Sequence, residues 1–127
     1  QSLQLATVFA TTSQTLVDIT GTTLNTKNLG DTGDYIITFS CEFDTNTETE
    51  FVQFSLNVDG ATVLEERTTG VGGKAVSWRN FSMTHLAPSV ANGTNIKMQV
   101  LTESGEALIV LSRELVIDGV LSSNVLP

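Results

Sequence analysis

Eight short apolar stretches run through this 127-residue chain, and glycine, asparagine, aspartate or serine turn residues separate them. Within each stretch the apolar side chains tend to recur at every second position, which is typical of a half-buried β-strand. No stretch shows the 3.6-residue period of an amphipathic helix. Because a sheet that is apolar on one face must cover that face, the pattern predicts two packed antiparallel sheets.

The clearest strand is predicted over residues 34–43. Its odd-numbered positions from 35 to 43 share one face, and they are Tyr35, Ile37, Phe39, Cys41 and Phe43. Cys41, the only cysteine, is therefore predicted to be a buried and unreactive thiol.

Two further strands flank the strongest turn signal in the chain. Asp59-Gly60 separates the alternating residues 51–58 from residues 61–67, and this dipeptide predicts a two-residue hairpin turn with positive φ angles. A later stretch, residues 75–86, changes phase part-way. We expect a β-bulge near Arg79 and Asn80 to reconcile its two halves.

These elements predict an all-β fold, an eight-stranded antiparallel β-sandwich with jelly-roll topology. One sheet would contain the predicted strands in the order 1-8-3-6 and the other the order 2-7-4-5. A single domain is predicted over residues 1–127, with short terminal arms at about 1–4 and 121–127. An immunoglobulin-like sandwich stays open as an alternative, although the cysteine–tryptophan–cysteine core of antibody domains is absent.

Two predicted neighbouring strands carry more apolar residues than one buried face needs. Residues 108–111 are apolar at four consecutive positions, and Ile36-Ile37 likewise breaks the alternation of apolar and polar residues. We expect the surplus to form one patch outside the sandwich that another subunit covers, because clustered exposed apolar groups mark interaction sites. The predicted interface residues are Ile36, Leu108, Val110 and Val116. The alternative is that these are single surface apolar residues, which are common.

Composition argues against several classes of function. The formal charge is −8 and the pI about 4.3, which disfavours nucleic acid and an anionic membrane as partners. One histidine, His85, one cysteine and dispersed acids assemble no nucleophile–base pair or zinc site. We therefore expect no enzyme activity, no catalytic or metal-binding residues and no cofactor.

Three smaller features of the sequence also have a structural explanation. His85 is predicted to cap the end of a strand. Asp31 with Asp34, or Asp44 with Glu48 and Glu50, has oxygen ligands that calcium accepts, but neither set matches the spacing of a calcium loop, which favours a solvated acidic loop. Trp78 and Tyr35 have the ring surfaces that stack on a sugar, yet a core position is favoured for both.

Three segments resemble parts of small jelly-roll domains in virion proteins of tailed bacteriophages, both capsid decoration or cement proteins and fibre domains. They are Gly33-Asp34-Tyr35-Ile36-Ile37, Phe54-Ser55-Leu56-Asn57-Val58-Asp59-Gly60 and Leu115-Val116-Ile117-Asp118-Gly119-Val120. The shape is also similar to the trimers of tumour necrosis factor and complement C1q. This resemblance implies a homotrimer on a virion surface, with no cofactor.

The expected function is that of a virion structural protein on the capsid surface. It would be a trimeric decoration or cement protein that reinforces a bacteriophage head by contacting the major capsid protein. One alternative is a receptor- or carbohydrate-binding fibre tip that uses loops at residues 25–33, 69–74 and 88–94. Another is a carbohydrate-binding module of a secreted enzyme.

Overall fold

Alternating apolar positions and glycine-containing turns produce a nearly all-β structure. The computed structural model describes residues 2–5, 7–26, 33–45, 50–69 and 78–119. The strands in these residues are β1 (Ser2–Leu5), β2 (Phe9–Thr11), β3 (Val17–Asp18), β4 (Leu24–Asn25), β5 (Gly33–Thr45), β6 (Phe51–Val58), β7 (Ala61–Thr69), β8 (Arg79–Val90), β9 (Asn95–Thr102) and β10 (Leu108–Gly119). Among the described residues there is no helix with the length and apolar character that a membrane span needs.

The strands form two antiparallel sheets. The first sheet has the order β1-β10-β5-β8, and β2 also pairs with β10. The second sheet has the order β3-β9-β6-β7, and β4 also pairs with β9. Predicted strand 1 corresponds to β1 and β2 together, and predicted strand 2 to β3 and β4. With that correspondence, the predicted jelly-roll pairing of both sheets is confirmed.

The two sheets enclose one apolar core. All five alternating residues of β5 from Tyr35 to Phe43 are at most 6% exposed, as their period predicted. Phe54 of the second sheet stacks on Phe81 of the first, with 4.2 Å between ring centroids. Phe54 also meets Phe43 edge-on at 5.6 Å. These aromatic contacts join the inner faces of both sheets, and each adds to the stabilisation from area burial.

Turn residues adopt the backbone conformations that their chemistry favours. Asp59 and Gly60 have φ angles of 54° and 87°, and they connect β6 to β7 as the predicted hairpin. Positive φ at both turn positions is the conformation that suits the right-handed twist of paired strands.

The predicted bulge in β8 was placed at the wrong end of the strand. Asn80 pairs with Glu42 in continuous register, whereas the register shifts between Gly33 and Tyr35, opposite Val90 and Ala87. Ser89, between those partners, has a φ of 53°, which absorbs the extra residue.

The predicted N-terminal arm was also wrong where the structure describes it. Ser2–Leu5 is β1, and it pairs with β10 from Val116 to Arg113. The predicted arm at 121–127, and residues 70–74 of a predicted loop, lie outside the described residues.

Candidate functional site

The four predicted interface residues divide between the outer face and the core. Ile36 is 40% exposed and Val116 is half-buried, both on the outer face of the first sheet. Leu108 and Val110 are 0% exposed and lie inside the sandwich. The prediction that these two residues face outward was therefore wrong.

A β-bulge explains this error. Val110 pairs with Phe43 and Arg113 with Cys41, so three steps along β10 match two steps along β5. One extra residue reverses the in–out phase of the strand. Even-numbered positions face the core before the bulge, and odd-numbered positions such as Leu115 face it afterwards. A constant phase would have placed Val110 and Val116 on the same face.

An exposed apolar patch nevertheless exists on the first sheet. Ile36 of β5 lies directly opposite Leu86 of β8, which is 57% exposed. Val116 lies one strand away, two residues from Asp118, the β10 partner of Ile36. We call Ile36, Leu86 and Val116 the apolar patch. Leu86 was not predicted, although its position out of phase with Phe81 and Met83 would have revealed it.

A polar hollow occupies a different part of the same outer face. One row of neighbours crosses four strands, from Gln4 through Glu114 and Ser40 to Ser82. The hollow is open, with a volume of about 610 Å³. We use the name polar hollow for the outward-facing residues that line it, which are Gln4, Ser40, Glu42, Asn80, Ser82, Ser112 and Glu114. Its size falls within the range of small-molecule sites, roughly 300–1,000 Å³.

The positive charge of Arg113, which lies beneath the hollow, is bonded to backbone groups elsewhere in the fold. Arg113 is 3% exposed, and its guanidinium donates hydrogen bonds to the carbonyl oxygens of Thr20, Thr7 and Leu111. Burial lowers the pKa of this guanidinium, and the nearby Cys41 thiol opposes that effect. The outer surface carries instead the carboxylates of Glu42 and Glu114, and Ser112 Oγ donates to Glu42 Oε1 at 2.8 Å.

Cys41 lies beside this arginine in the core. The side chain is 6% exposed, which confirms the predicted burial. Desolvation raises the pKa of the thiol to about 12, while the charge of Arg113 opposes the shift and that of Glu42 adds to it. A thiol with so high a pKa is a poor nucleophile at neutral pH.

The remaining candidate residues divide between confirmed and wrong predictions. Tyr35 is 4% exposed and belongs to the core as predicted, but Trp78 is 39% exposed and does not. His85 pairs with Ile37 inside β8, so its predicted place at a strand end was wrong.

Glu50 is fully buried rather than part of a solvated loop. Its carboxylate accepts hydrogen bonds from the backbone N–H and the hydroxyl of Ser104. Burial raises its pKa, but the bonds from Ser104, Glu103 and Glu106 outweigh burial and leave the pKa below its usual value. Asp31 and Glu48 lie outside the described residues. Among the residues that are described, no three His, Cys, Asp or Glu side chains are grouped to hold a metal ion.

Comparisons with known proteins identify the fold but no family. No protein-family profile matches the sequence, and no curated protein matches it. A chain from infectious bursal disease virus, Gt strain, is similar with a TM-score of 0.62 and 11% identity, over 94% of this chain and 32% of the viral one. Eiger TNF from S. frugiperda has a TM-score of 0.56 and 8% identity, over 96% and 95% of the two chains.

A carbohydrate-binding domain has the same general fold. The C-terminal CBM6 of LamC, a laminarinase from Zobellia galactanivorans, has a TM-score of 0.50 and 14% identity, over 91% of this chain and 98% of that one. The protein spans only 13% to 32% of some larger chains that it matches. At these identities the likeness shows a jelly-roll β-sandwich, a fold that serves unrelated functions.

Proposed function

We propose that the protein is a virion structural protein that associates as a homotrimer and reinforces a bacteriophage capsid. The observation that carries the proposal is the apolar patch. Ile36 and Leu86 project as a directly opposed pair from the outer face of a sheet whose neighbouring outward positions are largely polar. An exposed cross-strand apolar pair of this kind favours contact with another protein surface.

A second copy of the chain is the proposed occupant of the patch. Full burial of a large apolar side chain contributes about 1.5–3 kcal/mol, whereas association itself costs about 4–15 kcal/mol. Three side chains are therefore the centre of a wider interface, and a specific one buries about 800 Å² per partner. The outer face of the five-stranded first sheet supplies a surface on which such an interface can spread.

Capsid reinforcement is the proposed outcome of this association. Similarity in fold to a chain of a virus structure supports a virion role, as does the resemblance of the sequence to phage decoration proteins. Each subunit would make weak contacts with the major capsid protein, and three-fold valency would multiply their effect.

Sedimentation of matched variants tests the self-association. We expect the wild type to sediment as a trimer at micromolar concentration and Ile36→Asp and Leu86→Asp to sediment as monomers, because an interface would bury an unpaired charge. Val63→Asp is the control, since Val63 is 39% exposed but belongs to β7 in the second sheet. A monomeric wild type, or a trimer that tolerates both patch variants, would contradict the proposal.

Capsids prepared with and without the protein test the reinforcement. A protein that binds only the assembled state stabilises that state, so decorated capsids should melt at a higher temperature in calorimetry. Co-sedimentation measures the binding itself, with Ile36→Asp compared against Val63→Asp. Equal melting of decorated and bare capsids would rule out reinforcement and favour the fibre-tip alternative.

A further inference from the structure

We propose that the polar hollow on the first sheet binds a neutral carbohydrate. This inference rests on other side chains than those of the apolar patch. Glu42 lies six residues along β5 from Ile36, which corresponds to about 20 Å at 3.3 Å per residue. Glu114, by contrast, lies only two residues along β10 from Val116, so the hollow and the patch adjoin each other on one face.

The lining offers the mixture of groups that recognises hydroxyls. Amides, hydroxyls and two carboxylates line the same concave surface, and a sugar hydroxyl both donates and accepts hydrogen bonds. Several of these side chains make no hydrogen bond to any residue that the structure describes, and they are Gln4, Ser40, Asn80, Ser82 and Glu114. They lie on four adjacent strands, so their spacing is set by the sheet and little ordering is needed on binding.

The charges select a neutral ligand. Of the residues that line the hollow, the charged ones are Glu42, Glu114 and Arg113, and the arginine guanidinium donates hydrogen bonds to the carbonyl oxygens of Thr20 and Thr7. Two carboxylates without a facing cation repel phosphates, sulfates and uronic acids. They accept strong hydrogen bonds from neutral hydroxyls, because one partner is charged.

Trp78 does not line the hollow, but it lies two residues before Asn80, which does. It immediately precedes β8, and continuing the strand alternation by one residue would put its side chain on the same face as Asn80 and Ser82. The side chain is 39% exposed, which leaves ring surface available. A pyranose has polar edges and faces rich in C–H groups, so an aromatic ring beside a hydrogen-bonding surface suits both parts of it.

A glycan array followed by a fluorescence titration tests the proposal. We expect binding of neutral oligosaccharides and no binding of sialylated, sulfated or uronic glycans. Trp78 is the only tryptophan in the chain, so its emission reports binding of the best array ligand directly. Trp78→Ala and Glu114→Gln should each bind about tenfold more weakly or worse, as measured by calorimetry, because each loses a contact worth about that factor.

Glu65→Gln is the matched control, because Glu65 is exposed on β7 of the second sheet. It should keep wild-type affinity, and Glu114→Gln should keep the wild-type oligomeric state. Binding of no neutral glycan by the folded wild type, or unchanged affinity in both Trp78→Ala and Glu114→Gln, would overturn the proposal. A titration with Ca²⁺ alone gives the other decisive outcome. Ca²⁺ binding that Glu114→Gln abolishes, without glycan binding, would make the hollow a cation site instead.

Discussion

The guanidinium Nε of Arg113 donates a 2.7 Å hydrogen bond to the carbonyl oxygen of Thr20, which lies between β3 and β4 of the second sheet. Nη1 of the same side chain donates to the carbonyl oxygen of Thr7, between β1 and β2, at 2.6 Å. Buried Arg113 of β10 thereby connects the segment between β1 and β2 with the segment between β3 and β4. Both carbonyl groups belong to residues outside the strands, and a hydrogen bond from a charged donor contributes more than one between neutral groups.

Arg113→Met should lower the free energy of unfolding by about 2–4 kcal/mol, because three carbonyl oxygens lose a charged donor. The free energy of unfolding of Arg113→Lys should fall between those of the wild type and Arg113→Met, since an ammonium cannot reproduce the planar fork of a guanidinium. Urea denaturation measures both effects. Arg79→Met is the control, because Arg79 is exposed. An Arg113→Met protein as stable as the control would show that the carbonyls find other partners.

Glu50→Gln should destabilise the protein by about 1–3 kcal/mol at pH 7, because a charged acceptor of buried hydrogen bonds is lost. The pKa of Glu50 is lowered in the folded state, so its contribution is present above the unfolded pKa of about 4.5 and declines as pH falls below it. The difference in the free energy of unfolding between wild type and Glu50→Gln should therefore become smaller as the pH is lowered from 7 to 3. Urea denaturation at both pH values checks this, with Glu65→Gln as control. A difference that is independent of pH would contradict the prediction.

Cys41 should react slowly with a thiol reagent in the native protein at pH 8 and rapidly in urea. Burial and a pKa raised to about 12 both suppress the thiolate in the folded state. A raised thiol pKa also means that this group stabilises the fold fully below its unfolded pKa of about 9. That contribution is lost as pH rises from about 9 towards 12. Fast labelling of the folded protein would show that β5 opens locally or that its phase is wrong.

Gly21→Ala should destabilise far more than Gly60→Ala, although both glycines have φ angles above 80°. A Cβ on Gly21 would clash with Cδ2 of Leu5, whereas a Cβ on Gly60 meets nothing within 4 Å. Gly60→Ala should cost about 1–2 kcal/mol from the left-handed backbone alone. Gly21→Ala adds the clash and should exceed that cost by about 1–3 kcal/mol. Thermal unfolding of the two variants compares them directly, and equal losses would mean that Leu5 moves aside freely.

Val110→Asp should unfold the protein, while Ile36→Asp should leave its fold intact. Val110 is 0% exposed, so the variant places a carboxylate in the core, whereas Ile36 is 40% exposed. Circular dichroism of both variants distinguishes a lost fold from a lost interface. A folded Val110→Asp protein would contradict the observed phase of β10.

Features that depend on nearby residues were predictable from the sequence. The alternation from Tyr35 to Phe43 identified the buried face of β5, because side-chain period follows directly from strand geometry. Asp59-Gly60 identified the hairpin, since few dipeptides adopt two positive φ angles. The pairing of both sheets followed from the number of strands without an intervening helix and from the Asp59-Gly60 hairpin, which joins two strands that the jelly-roll topology pairs.

Features that depend on distant residues needed the tertiary structure. The extra residue in β10 is visible only against its partner β5, and it decided which of Val110 and Val116 faces the core. The polar hollow requires Gln4 and Glu114 to be neighbours across 110 positions of sequence, a relationship that no local pattern encodes. Local chemistry thus determined the strands and turns of this protein. Register and packing between strands decided the surfaces on which it can act, because one extra residue reverses every side chain that follows it.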